Sequence, residues 1–112
     1  MNDLDKVIRD YIESSIKQGI ALEEGNANKA NRYYRRIRKR IKWLDEKGEL
    51  GEDSFSNLLS HPNDYVKYHT AYALLHKKED MAIDMLVKIS ERKDILGFSA
   101  EMTISEFKKG NI

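Results

Sequence analysis

Residues 26–48 read NANKANRYYRRIRKRIKWLDEKG, and the spacing inside this stretch points to a helical architecture. Ala30, Tyr33, Tyr34, Ile37, Ile41 and Leu44 recur at three- and four-residue steps, which lines them up as one apolar stripe on an α-helix. Asn26 or Asn28 can cap its N-terminus, and Gly48 supplies the stop. At about 100° per residue, Arg32, Arg35, Arg36 and Lys39 fall on the side opposite the stripe, and Trp43 falls with them. An aromatic among cations stands where a simple amphipathic helix would carry another polar group.

The same periodicity extends in both directions. Upstream, from Asp3 as a plausible cap, Leu4, Val7, Ile8, Tyr11, Ile12, Ser15 and Ile16 predict an amphipathic helix running to about Glu24, with Gly25 as its stop. Gly19 weakens the middle of that helix by about 1 kcal/mol relative to alanine. Downstream the pieces shorten. A short helix is expected over 52–60 with Phe55, Leu58 and Leu59 on its buried side, and Pro62 breaks the chain. Asn63 or Asp64 then caps a helix through about His76, with Tyr65, Val66, His69, Tyr72, Ala73 and Leu75 available for packing. Two more helices follow over about 79–90 and 94–108. Their expected apolar sides are Met81, Ala82, Met85, Leu86 and Ile89, then Leu96, Phe98, Ala100, Ile104 and Phe107.

Composition agrees with an all-α reading and bounds the function. The 112 residues are 40% hydrophobic and 35% charged, with 20 Lys+Arg against 19 Asp+Glu, one proline and no cysteine. This length suits one compact domain, 1–112, that buries roughly two-thirds of the surface of its extended chain. Without cysteine there are no disulfides, thiolate metal sites or cysteine nucleophiles, which suits a reducing cytoplasm. A net charge of +1 argues against a protein that coats nucleic acid or membrane wholesale, so the distribution of charge matters more than its total. No window approaches the roughly 20 apolar residues of a membrane span, and the charged N-terminal stretch lacks the apolar core of a secretory signal. A soluble protein is expected.

The stretch Leu58-Leu59-Ser60-His61-Pro62-Asn63-Asp64-Tyr65-Val66-Lys67, continuing to Ala73-Leu74, resembles a HEAT-type helical repeat: an acidic turn, a Val-basic pair, then Ala-Leu. Thr70 replaces the small alanine common there. The following unit, over 79–107, resembles the repeat more weakly, since Asp94-Ile95-Leu96-Gly97-Phe98 lacks the Val-basic pair. A broader resemblance, from about Ala21 onwards, is to the bacterial DUF2019 family, a domain of unknown function with a HEAT-like helical fold. It is carried by the Gly25-Asn26 turn before Asn31-Arg32, the Leu-Leu-x-His-Pro-Asn segment at 58–63, Val66-Lys67, and Ala100-x-Met102-Thr103-Ile104. Glu52-Asp53-Ser54 departs from the arginine-rich version of that segment, so a charged surface is not carried over from it. The resemblance implies a short HEAT-like α-α superhelix of about six helices, in which each pair covers apolar surface of the next and the long N-terminal helices serve as a cap.

Candidates for chemistry are sparse. His61, His69 and His76 are the obvious proton-transfer or ligand groups, yet His69 and His76 lie about two turns, or roughly 10 Å, apart, and His61 is placed to support the turn at Pro62. Asp80 and Asp84 share a helix side without a third ligand, and Lys88 is spaced for an ordinary ion pair with Asp84. No nucleophile elbow, phosphate loop or dinucleotide fingerprint occurs. No catalytic, cofactor or metal residues are therefore assigned, and an enzyme is not expected. A hydrolase with dispersed carboxylates would require several of them to converge around one cleft.

The strongest feature outside the core is the cationic helix face. Arg32, Arg35, Arg36, Lys39 and Trp43 form the expected partner-binding set, because arginine makes directional bonds to carboxylate or phosphate and tryptophan adds packing or cation–π contact. The bland alternative is a solvated basic face compensated by Glu13, Glu23, Glu24, Asp45 and Glu46, with Trp43 covered by another helix. Of the tyrosines, Tyr33, Tyr65 and Tyr72 read as core or core rim, while Tyr34 and Tyr68 depend on how the helices cross. The leading expectation is a non-enzymatic protein-interaction module, antitoxin-like or immunity-type, whose partner is another protein. The alternative is nucleic-acid binding by the basic helix, and a homodimer is a further possibility because a short stack can leave an apolar end face.

Overall fold

A computed structural model describes residues 2–112. Within them the chain is all-α, with no strand. The α-helices are α1 (Asp3–Glu23), α2 (Ala27–Glu46), α3 (Asp53–Ser56), α4 (Asp64–Leu74), α5 (Glu79–Ser90) and α6 (Ile95–Lys108). Two 3-10 turns, Glu49–Gly51 and Asn57–Ser60, flank α3. The chain divides into two units, Met1–Leu50 and Gly51–Ile112.

In the first unit α1 packs on α2. The cap of α1 is Asn2 rather than Asp3: its side chain accepts from the Asp5 backbone N–H at 2.8 Å, and Asp3 and Asp5 in the first turn meet the positive end of the helix dipole. The stop at Gly25 is as the sequence predicts. With φ at +74°, it closes a Schellman turn in which the Asn26 N–H reaches the Ala21 carbonyl and the Gly25 N–H reaches that of Leu22, a conformation that costs glycine no Cβ clash. The buried side of α1 is rotated from the expected stripe. Val7, Tyr11, Ser14, Ser15, Gln18, Gly19 and Ala21 are buried, while Leu4, Ile8, Ile12 and Ile16 sit at its margin. The inward face is therefore small and partly polar, and Ser15 answers its own burial by donating to the Tyr11 carbonyl at 2.8 Å. Gly19, expected to weaken the helix, leaves it unbroken and occupies this buried face.

In the second unit α4 contacts α3, the second 3-10 turn, α5 and α6, and α5 packs on α6. The segment expected as one short helix is α3 followed by the 3-10 turn, with Phe55 and Leu59 buried and Leu58 at the margin. Asn63 caps α4 by accepting from the Tyr65 and Val66 N–H groups at 2.9 and 3.2 Å. That helix ends at Leu74, before the expected His76, and the Lys77 and Lys78 N–H groups turn back onto the Leu74 carbonyl. Thr70, in the place of a small residue, is fully buried. The bounds of α5 match expectation, and α6 begins one residue later than expected because Asp94 is its cap, accepting from the Gly97 N–H at 3.2 Å.

The apolar side of α6 differs from the predicted one. Leu96, Gly97, Ala100 and Thr103 are buried, whereas Phe98 is 62% exposed and Ile104 and Phe107 are marginal. Met81 on α5, also expected inside, is 46% exposed. Gly97 explains the rotation of α6. A Cβ there would lie 2.0 Å from the Arg92 carbonyl oxygen, so this position faces the incoming chain, and Phe98, two residues from Leu96, turns roughly 200° away from it.

Gly97 thus decides the sign of a simple test. Helix propensity alone would make Gly97→Ala stabilising by about 0.5–1 kcal/mol, whereas the backbone collision makes it destabilising by about 1–3 kcal/mol. A lowered urea midpoint at unchanged m-value is the expected result.

Candidate binding surface on the second helix

Helix α2 holds eight cations against two acids, Asp45 and Glu46. It forms because Arg and Lys lose little rotamer freedom in a helix, because Asn26 caps it by accepting from the Lys29 N–H at 3.1 Å, and because Gly48, with φ at +76°, ends it. Of the two asparagines considered for the cap, Asn26 takes the role. Ala30, Ile37, Ile41 and Leu44 are buried, and Arg32, Arg35, Arg36 and Lys39 are exposed on the other side, as the helical wheel predicts.

The cations of that side divide into two groups. Arg36 and Arg40 converge on one carboxylate of α1: Nη2 of Arg36 donates to Oδ1 of Asp10 at 2.5 Å, and Nε of Arg40 donates to Oδ2 at 2.7 Å. Burial pushes the Asp10 carboxyl up, but the hydrogen bonds from Arg40 and Arg36 outweigh it and hold the group below the usual aspartate range. Arg32, Arg35 and Lys39 have no ion pair among the described residues. Sequence reasoning did not name Asp10. The available signal was an acid on the flank of the Val7–Tyr11 stripe in a helix that must pack against a basic one. Glu13, one of the acids expected to compensate α2, instead pairs with Lys17 of its own helix at 2.5 Å, and that contact raises the Lys17 pKa.

Trp43 shares the angular position of the cations but is half-buried. It lines a recess of about 330 Å³ with Arg40 of α2 and Asp3, Lys6 and Val7 of α1, while the Lys47 ammonium lies 5.5 Å from its ring centroid. A second recess of about 390 Å³ on α2 is lined by Arg38, Lys39, Ile41, Lys42 and Asp45. The tyrosines sort by packing. Tyr65 is buried, Tyr33 and Tyr72 are marginal, and Tyr34 is 44% exposed. Tyr68 is tied into the second unit, with its hydroxyl 2.9 Å from Thr103 Oγ1 and its ring beside His69 and Tyr72.

The histidines are kept apart in the structure. Nδ1 of His61 accepts the Asn63 N–H at 3.0 Å and so supports the Pro62 turn, His69 is buried edge-on to Tyr68, and the His76 ring lies tilted against Phe107 with centroids 5.3 Å apart. No group of three or more His, Asp or Glu side chains among the described residues could hold a metal ion. Asp80, Asp84 and Lys88 are exposed, and no ion pair joins them among the described residues. The densest polar cluster was also missed from sequence. Arg92 clamps Asp94 through Nε and Nη2 and reaches Asp64 at 2.6 Å through Nη1, joining the start of α4 to the start of α6. The contacts raise the Arg92 pKa and lower that of Asp94, so both stay charged, as a structural clamp requires.

No family model, curated protein or solved structure matches the chain. No helix of the described residues is long and apolar enough to cross a membrane.

The Asp10 bridge has a pH signature. Because the folded-state carboxyl titrates below its unfolded value of about 3.9, its contribution is full above that pH and is lost as pH falls through the folded pKa. Asp10→Asn is expected to destabilise the first unit by about 1 kcal/mol at neutral pH, after solvent screening of the partly exposed arginines. It is also expected to flatten the acid limb of the stability profile. Urea titrations followed by emission of the single tryptophan, Trp43, check both.

Proposed function

We propose that this protein is a non-enzymatic interaction module that presents the cationic face of α2 to another protein, in the manner of an antitoxin-like or immunity-type partner. The observation that carries the reading is the division of the cations on that face. Arg36 and Arg40 are spent on Asp10 and fix the helix, while Arg32, Arg35 and Lys39 remain exposed without an ion pair among the described residues. A row of cations on a fixed helix binds with less entropy loss than the same groups on a mobile segment. The HEAT-like reading of the second unit is supported by α4 packing on α5 and α5 on α6 in chain order. The DUF2019 resemblance supports a bacterial source for the module, and its lack of cysteine supports a reducing, cytoplasmic setting.

Nucleic-acid binding is the second reading, favoured by the eight cations of α2. It requires mixed DNA or RNA to bind with an affinity that falls steeply with salt. Self-association is supported separately by Ile95, Phe98 and Met102 of α6, exposed by 57, 62 and 67% at three- and four-residue steps; light scattering tests it.

Affinity capture from the source organism is the decisive experiment. The wild-type chain is expected to retain a protein partner that the triple variant Arg32→Glu, Arg35→Glu, Lys39→Glu releases. Retention of every specific partner by that variant removes this surface from the interaction, and recovery of nucleic acid in place of protein transfers the reading to the alternative.

A further inference from the structure

We propose that the occupant of the α2 surface is an acidic amphipathic helix of the partner protein. Its carboxylates pair with Arg32, Arg35 and Lys39, and an apolar side chain at its end enters the recess beside Trp43. The proposal rests on the interaction reading above and specifies the chemistry of the partner. The three cations are separated by three and then four residues, a rise of about 4.5 and 6 Å along the helix. Those steps also keep side chains on one face of any other α-helix, so carboxylates at the same steps meet each cation in register. Arginine and carboxylate are matched further by the two-pronged hydrogen bonding of the guanidinium.

The row leads into the recess. Trp43 is one helical turn beyond Lys39, and the recess it lines with Asp3, Lys6, Val7 and Arg40 has a volume of about 330 Å³. That is the lower end of ligand-pocket size, which suits a single apolar anchor flanked by polar groups, the arrangement of a hot spot within a charged rim.

Two observations favour a carboxylate-bearing helix over a phosphate backbone. The chain has a pI of about 7.9, below the value above 9 that marks nucleic-acid-binding domains. In addition, Lys47 lies over the Trp43 ring at 5.5 Å and occupies a face on which a base would stack.

Trp43 is the single tryptophan, so its emission reports occupancy of the recess directly. The probes are alanine-based helical peptides carrying three Glu residues at this three- and four-residue spacing and a Leu four residues beyond, in either chain order, titrated against the full chain at physiological salt. Saturable binding with a blue shift of Trp43 emission is expected from one of the two orders. Glu→Gln peptides, or the Arg32→Glu, Arg35→Glu, Lys39→Glu variant, are expected to weaken it by at least about tenfold. The Leu→Ala peptide is expected to bind more weakly and without the blue shift, and Lys88→Glu, on α5, to leave binding unchanged. Circular dichroism of the triple variant shows that its fold is retained. The proposal is overturned if neither order binds, if Trp43 emission is unmoved at saturation, or if a single-stranded DNA oligomer of equal charge binds more tightly than either peptide. Should affinity capture still yield a protein partner released by the triple variant, the interaction reading stands and only the acidic-helix assignment falls.

Discussion

The carboxylate of Asp10 is the constraint on which the candidate surface depends. It lies on α1 yet holds two arginines of α2, Arg36 and Arg40, which are four residues apart and so rise from one side of the helix. Burial of Ala30, Ile37, Ile41 and Leu44 sets which side of α2 turns inward, and the directional hydrogen bonds from two guanidinium groups to Asp10 reinforce that rotation. Once that rotation is set, the remaining cations have no freedom of placement. Arg32, Arg35 and Lys39 must face away from the buried stripe of Ala30, Ile37, Ile41 and Leu44, and Trp43 must lie against the first turns of α1. The same interaction that stabilises the helix pair therefore decides which positive charges are spent and which are presented.

The second unit solves a comparable problem with one arginine. Arg92 sits between α5 and α6 and clamps Asp94, which in turn caps α6 through the Gly97 N–H. Its third contact, to Asp64, ties that turn to the start of α4. The chain passes so close that only glycine fits at position 97, and this approach sets the rotation of α6 as the buried stripe and Asp10 together set that of α2. The consequence differs. In α2 the rotation presents cations, whereas in α6 it leaves Ile95, Phe98 and Met102 exposed.

Much of this was legible in the residues. Helix positions followed from three- and four-residue spacing and from Asn63, Gly25 and Gly48 as punctuation, because caps and left-handed stops are satisfied within a few residues of where they are written. The wheel of α2 likewise placed Arg32, Arg35, Arg36 and Lys39 on one face. Misplaced elements were those governed by neighbours distant in sequence. The stripe of α1 rotates toward Ser14, Gly19 and Ala21, since small residues admit close packing that hydrophobicity alone does not signal. Phe98 of α6 is outside because Gly97 and the Arg92 carbonyl claim the inner face.

Periodicity, propensity and charge density are local properties, so the all-α character, the helix boundaries to within a few residues and the concentration of cations in one helix are all readable from the residues alone. Which of those cations are paired is set by the packing of α1 on α2. Asp10 and Arg36 are 26 residues apart and Asp10 and Arg40 are 30, and pairing across such separations depends on how two helices are rotated against each other. The same holds for Trp43, whose neighbours in the recess come from the start of the chain. A helical wheel gives the direction of a side chain from its own axis, but the tertiary structure alone brings up the helix it meets there.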